Sequence, residues 1–211
     1  MNSSLPSYTS MPLSRVQKGA VGQFAFLITA LVTGKGQVEV YTPAIDNEGR
    51  DAEIRRHLKP APAIGIQVKV TFSLRSNGYR AKYLLLRFAL PENRVQNDPR
   101  LWYLLAAFDG PQLRLDDPLF LVPAPVFHKL ARRQMWKGRI RFAVSASMAP
   151  GSRDQWSRYR VAPKDLGKRL LEIIDEVPLT ASSRSTKLPP DSVLLGRAKQ
   201  PKASSRRDRA A

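Results

Sequence analysis

The apolar positions of the chain change period along its length, and those changes mark out its elements. Over residues 17–32, Val21, Phe24, Ala25, Ile28 and Leu31 recur at three- and four-residue steps, which predicts a helix with that stripe buried. Gly34 and Gly36 end it. Residues 38–42 are β-formers stopped by Pro43, and Asn47, Glu48 and Gly49 make a turn. A strand is expected over 51–56. Residues 64–72 alternate strictly: Ile64, Ile66, Val68 and Val70 on one face, Gly65, Gln67, Lys69 and Thr71 on the other. Further strands are expected over 82–89, 102–108, 119–122 and 140–146. Helices are expected over 125–135 and over 163–177, the latter burying Leu166, Leu170, Ile173 and Ile174. A helix, then strands, then mixed elements predicts an α/β (α+β) domain with a mixed β-sheet flanked by helices.

Composition sets the outer limits. The 211 residues suit one domain over 16–177, a loose Ser/Thr/Pro-rich tail over 1–15 and a basic tail over 178–211. A 43% hydrophobic content is enough for a packed core. No cysteine is present, which excludes disulfides, zinc-thiolate sites and thiol nucleophiles, and two histidines do not make a His-rich metal centre. Val193, Leu194 and Leu195 are the apolar exception in the C-terminal tail.

Charge changes the picture more. Lys plus Arg is 35 against 17 for Asp plus Glu, a net +18. The tail holds eight basic and two acidic residues, so +12 remains on residues 1–177. Such an excess favours polyanionic partners through attraction and counterion release. Nucleic acid, an acidic membrane surface and an acidic protein all satisfy it. The N-terminal residues lack a basic region followed by an apolar core. The longest apolar run, 24–32, is broken by Thr29 and is shorter than the ~20 residues a bilayer requires. The expectation is a cytoplasmic protein with no membrane partner.

Candidate chemistry gathers in the first third. The turn reads PAIDNEGRD and the next strand IGIQVKV. The pleat aims Gln67 and Lys69 at one face. Asp51 opens the neighbouring strand, so pairing of the two brings it near both. Hard cations take oxygen ligands, and an ammonium beside them stabilises phosphoryl charge or assists water.

Helix, strand, PxxDxxGxD turn, strand and hydrophobic-Gln-x-Lys strand together resemble the PD-(D/E)xK nuclease superfamily. The likeness is greatest to its small Holliday-junction-resolvase-like and restriction-endonuclease-like members. It is closest over residues 18–71 and looser to about residue 176. The resemblance implies a Mg²⁺-dependent (or Mn²⁺-dependent) DNA endonuclease, with DNA as partner and a homodimer as an option. Asp51 would hold the metal, Gln67 would take the acid-or-amide position as metal ligand and catalytic group, and Lys69 would position or activate water. The helix Glu of many members corresponds to Gln23, within KGAVGQFAF. With amides at 23 and 67, only Asp51 brings a formal charge, and amide carbonyls are weaker ligands. Glu53, two residues from Asp51 on the same face, and Asp46 in the turn are substitute metal ligands. Two alternatives follow: a nuclease-fold DNA-binding protein whose catalysis has decayed, and a basic structural protein that binds an acidic partner.

The remaining polar signals are weaker. Arg153, Trp156, Arg158 and Arg160, within SRDQWSRYR, interleave aromatic and basic residues and suit nucleic-acid contact, or a plain loop before a helix. Arg132, Arg133, Lys137, Arg139 and Arg141 form a second basic cluster, either a solvated face or a phosphate track. Trp102 and Trp136 read as core anchors, His57 as a strand-end polar residue and His128 as a surface residue. No Walker loop, GxGxxG, HExxH or GxSxG occurs, so nucleotide, dinucleotide, zincin and hydrolase-elbow chemistry fall away.

Overall fold

In the computed structural model, which describes residues 13–43, 49–59, 62–76 and 82–177, the alternating strand of the sequence becomes the axis of a mixed sheet. The chain runs α1 (Arg15–Thr33), β1 (Val38–Tyr41), β2 (Ala52–Arg56), β3 (Ala63–Thr71), β4 (Arg75–Ser76), β5 (Lys82–Pro91), β6 (Leu101–Asp109), β7 (Arg114–Leu115) and β8 (Leu119–Pro123). It continues through α2 (Ala124–Leu130), β9 (Arg132–Trp136), β10 (Arg139–Ser147), β11 (Arg160–Val161) and α3 (Leu166–Glu176). The N-terminal tail, Asp46 with its turn, and the basic tail including Val193, Leu194 and Leu195 lie outside the described residues.

The main sheet has the order β1-β2-β3-β6-β8-β11, with β7 paired to β6. Its β3–β6 pair is parallel, while β1–β2, β2–β3, β6–β8 and β8–β11 are antiparallel. A parallel pair needs a crossover. Here β4 and β5 supply it, and they pair with β10 and β9 to build a second, antiparallel sheet. One core packs α1 and α3 against Ile54, Ile64, Ile66, Leu104 and Leu121 of the main sheet. The other joins its opposite face, including Tyr103, Leu105 and Phe120, to α2 and the second sheet. Coverage on both faces explains why β6 and β8 read as continuous apolar runs rather than alternating ones.

The first helix starts on a capping box. Ser14 Oγ accepts the Gln17 N–H at 3.2 Å, and Gln17 Oε1 accepts the Ser14 N–H at 2.8 Å. Its buried residues are Gly22, Phe26 and Ala30. Val21 and Ala25 are half-buried as expected, but Phe24 and Ile28 are 61% and 62% exposed and Leu31 is also exposed. The helix is apolar on both sides, so periodicity alone chose the wrong centre for the stripe. The small residues win because they let α1 lie close to β3. By length and composition α1 also suffices to cross a membrane, a property the nine-residue run understated. Its C-terminal end meets α3 through two glycines, where a Cβ on Gly167 would stand 2.2 Å from the Gly34 nitrogen.

The expected helix over 125–135 ends at Leu130. Residues 132–136 instead pair with β10 around Lys137 and Gly138, whose φ values of 49° and 68° are those of a two-residue type I′ hairpin. His128 is buried and Trp136 is 43% exposed, each the reverse of its expectation. The remaining strands and the last helix occupy their expected stretches, the helix after a 3₁₀ turn over Pro163–Asp165.

Candidate functional site

The β2 strand stops pairing at Asp51, and the side chain takes over where the main chain leaves off. The Asp51 N–H donates to the Ile66 carbonyl at 2.9 Å. One step further along β3, the Val68 N–H donates to Asp51 Oδ2 at 2.7 Å. An aspartate at a strand end can close a ladder in this way because its short carboxylate reaches only the adjacent main chain. From α1, Gln23 Nε2 donates to the Asp51 carbonyl at 2.7 Å. Asp51 is thus bound on three sides, with its carboxylate on the main chain of Val68, the residue that separates Gln67 and Lys69 along β3.

Register explains the rest. Ala52 pairs with Ile66 and Glu53 with Gly65, so Glu53, Gly65, Gln67 and Lys69 share the face away from α1. The parallel neighbour sets Tyr103 beside Gln67 and Leu105 beside Lys69. This face meets the second sheet. Gln67 is therefore buried, at 4% exposure, where the alternation suggested an open polar face. Gly49 covers its amide: a Cβ there would lie 3.3 Å from Gln67 Nε2, at a φ of +70° that suits glycine. The half-buried Lys69 places Nζ 5.2 Å from the Phe88 ring centroid on β5. Gly65 leaves room for Arg50, whose Cδ would stand 2.8 Å from any Cβ at that position.

Asp51, Gln67 and Lys69 come to neighbouring positions of the β2–β3 pair, and Gln23 reaches Asp51 only through its main-chain carbonyl, from the α1 side. Glu53 is engaged elsewhere: its carboxylate is held by Arg55, with Arg55 Nε at 2.7 Å and a second contact from Nη2. Among the described residues no group of three His, Cys, Asp or Glu is arranged to hold a metal. The late basic segment divides too. Arg153 and Arg158 are exposed. Trp156 is 1% exposed inside the second core, so it is an anchor and not a stacking platform. Arg160 donates to the carbonyls of Ala149 at 2.6 Å, Pro150 at 3.1 Å and Ser147 at 2.6 Å, which makes it a loop clamp.

One neighbour, Tyr103, escaped the sequence reading, and His128 was expected at the surface. The Tyr103 hydroxyl lies 3.1 Å from His128 Nε2, and His128 Nδ1 lies 2.7 Å from Asn97 Oδ1. Burial, and then the charge of Asp51, hold the Tyr103 hydroxyl well above its usual range. Burial, and then Arg133, push the His128 imidazole down. The continuous apolar run over 101–107 gives no sign of which face Tyr103 takes, and only register sets it beside Gln67.

No protein-family model matches the chain, and no curated protein does. Among solved structures it is similar to a bacterial homing endonuclease, I-Ssp6803I. The TM-score is 0.45 and the identity 15%, over 75% of this chain and 93% of that chain.

Proposed function

We propose that the protein is a Mg²⁺-dependent DNA endonuclease of PD-(D/E)xK type, hydrolysing phosphodiester bonds at the face of Asp51, Gln67 and Lys69. One observation carries the reading. The Asp51 carboxylate is fastened to the β3 main chain at Val68, the residue between Gln67 and Lys69, so an acid, an amide and an ammonium occupy neighbouring positions of paired strands. The net charge of +18 supports a polyanionic substrate.

The donor set fits Mg²⁺ only at the lower limit. That ion commonly takes one or two carboxylates and completes its shell with water and substrate phosphate. An ionised carboxylate offers about four lone-pair positions, so the bond from Val68 leaves Asp51 able to coordinate. Gln67 would add an amide oxygen. When bound, the ion would offset charge on the phosphate. Lys69 would hold water or the developing negative charge, and its placement on a sheet rather than a loop keeps it oriented. Gln23 would position Asp51 through the main-chain carbonyl.

A DNA-binding protein without cleavage is the second reading, and Glu53 favours it. The substitute carboxylate is engaged by Arg55, leaving Asp51 the one motif acid at the site among the described residues. A metal titration with plasmid, linear and branched DNA separates the readings. The nuclease predicts nicking with Mg²⁺ or Mn²⁺ that Lys69→Ala lowers at least ~100-fold without unfolding. No cleavage of any DNA form, with salt-dependent binding indifferent to EDTA and to Asp51→Asn, gives the second reading. No DNA binding at moderate salt removes both and leaves an acidic protein as partner.

A further inference from the structure

The outer face of the second sheet carries a charge that the site at Asp51 does not use. Arg87 on β5, Arg139 and Arg141 on β10, and Arg132 on β9 point away from the second core, whose inward residues on β10 are Phe142, Val144 and Ala146. Register sets them close: Arg132 pairs with Ala143, Ala143 with Arg87, and Arg139 with Trp136. All four arginines are exposed, as are Arg133 and Lys137. No described carboxylate forms an ion pair with any of the six. Like charges on neighbouring strands repel, so a sheet face of this kind costs stability without an anionic partner.

The aromatic residue among them is placed for contact. Trp136 is 43% exposed at the tip of the β9–β10 hairpin. The Arg141 guanidinium lies 3.7 Å from its ring centroid, and Lys137 Nζ lies 5.1 Å away on the same ring. A stacked guanidinium is held planar with its donors fixed, which suits phosphate oxygens and base edges. Keeping a sheet edge from aggregating needs a lysine or two on the edge strand. Here the arginines cross three strands, which that purpose does not require.

A groove lined by Arg87, Ala89, Arg132, Arg141 and Ala143 opens on this face.

We propose that the β9–β10 ribbon and the basic face behind it seat duplex DNA, with the ribbon in the major groove and the phosphate backbone along the arginine-lined groove. A two-stranded ribbon fits the B-form major groove, whereas the A-form groove of duplex RNA is too narrow. The partner's identity rests on the DNA reading above.

The test measures binding of a short DNA duplex by full-length protein over a salt series. The triple variant Arg132→Gln, Arg139→Gln, Arg141→Gln is expected to bind at least about ten-fold more weakly. Its log K against log salt slope should flatten by about 2.7, since each phosphate contact contributes about 0.9. Duplex RNA of the same sequence should bind the wild type more weakly than DNA. If the triple variant fails to fold, each single variant should flatten the slope by about 0.9. An unchanged affinity and slope overturn the proposal, and so does RNA binding equal to DNA. The outcomes stay separable from those of the nuclease reading. Cleavage and binding that survive the triple variant sink the docking face alone. A wild type that binds through these arginines but never cleaves sinks the nuclease alone.

Discussion

The carboxylate of Asp51 accepts the Val68 N–H at 2.7 Å, so one side chain both ends the β2–β3 ladder and sets the charge at the candidate site. The two roles separate by substitution. Asp51→Asn keeps a carbonyl acceptor for Val68 and removes the charge. It should fold with little change in Tm and lose cleavage. Asp51→Ala removes the acceptor as well, leaving a partly buried N–H unsatisfied at a cost of about 1–3 kcal/mol. Thermal melts of both variants check this, and an alanine variant as stable as the asparagine one would refute the ladder role.

Trp156 gives a second contrast. Its ring is enclosed in the core beside Phe127, with ring centroids 6.1 Å apart. Trp156→Phe should therefore lower stability by about 1–3 kcal/mol while leaving the salt slope of DNA binding unchanged. Urea denaturation and a salt series on one preparation decide it. A stable variant with weakened DNA binding would restore the stacking role.

Both cases show which parts of the molecule were legible in the sequence. Period-two alternation over 64–72 fixes which face Gln67 and Lys69 share, and the pleat enforces it whatever lies opposite. What covers that face is a tertiary matter. The second sheet lands on it, so Gln67 is buried and Tyr103 becomes its neighbour. The same limit applies to Trp156 and His128, since a lone aromatic or histidine in a polar stretch carries no periodicity to place it. The α1 stripe failed differently, with two apolar faces competing and Gly22 and Ala30 winning by close approach. The β9 strand was hidden in an expected helix, although Lys137-Gly138 is a turn signal at the right place.

Glycine contacts test the packing of α1. At Gly167 a Cβ would meet the Gly34 nitrogen at 2.2 Å and its Cα at 2.5 Å, and main-chain atoms cannot move aside cheaply. Gly167→Ala should destabilise by about 1–3 kcal/mol or more, as other overpacked interfaces do. Gly19, in the exposed part of the same helix, has nothing within 4 Å. Gly19→Ala should stabilise by up to about 1 kcal/mol through helix propensity. Opposite shifts in Tm are expected, and shifts of the same sign would contradict this helix placement.

The Tyr103–His128 pair, finally, sets a pH window for stability. Burial disfavours the charged imidazole, so His128 binds its proton less readily in the folded chain than at the ordinary value of 6.5. The unfolded chain then takes up more protons, and stability is lost as pH falls below 6.5. The Tyr103 hydroxyl works from the other side. Its folded value is raised above the usual 10.0, so the unfolded chain releases the proton first and stability is lost as pH rises past 10.0. Melts over pH 5–11 should show a plateau between these limits. His128→Phe removes the titrating group and should flatten the acid side, and Tyr103→Phe should flatten the alkaline side. Each substitution also removes one partner of the 3.1 Å contact, so both plateaus should sit lower than in the wild type. An acid limb that stays equally steep in His128→Phe would place the acid sensitivity elsewhere, with the carboxylates as the remaining source.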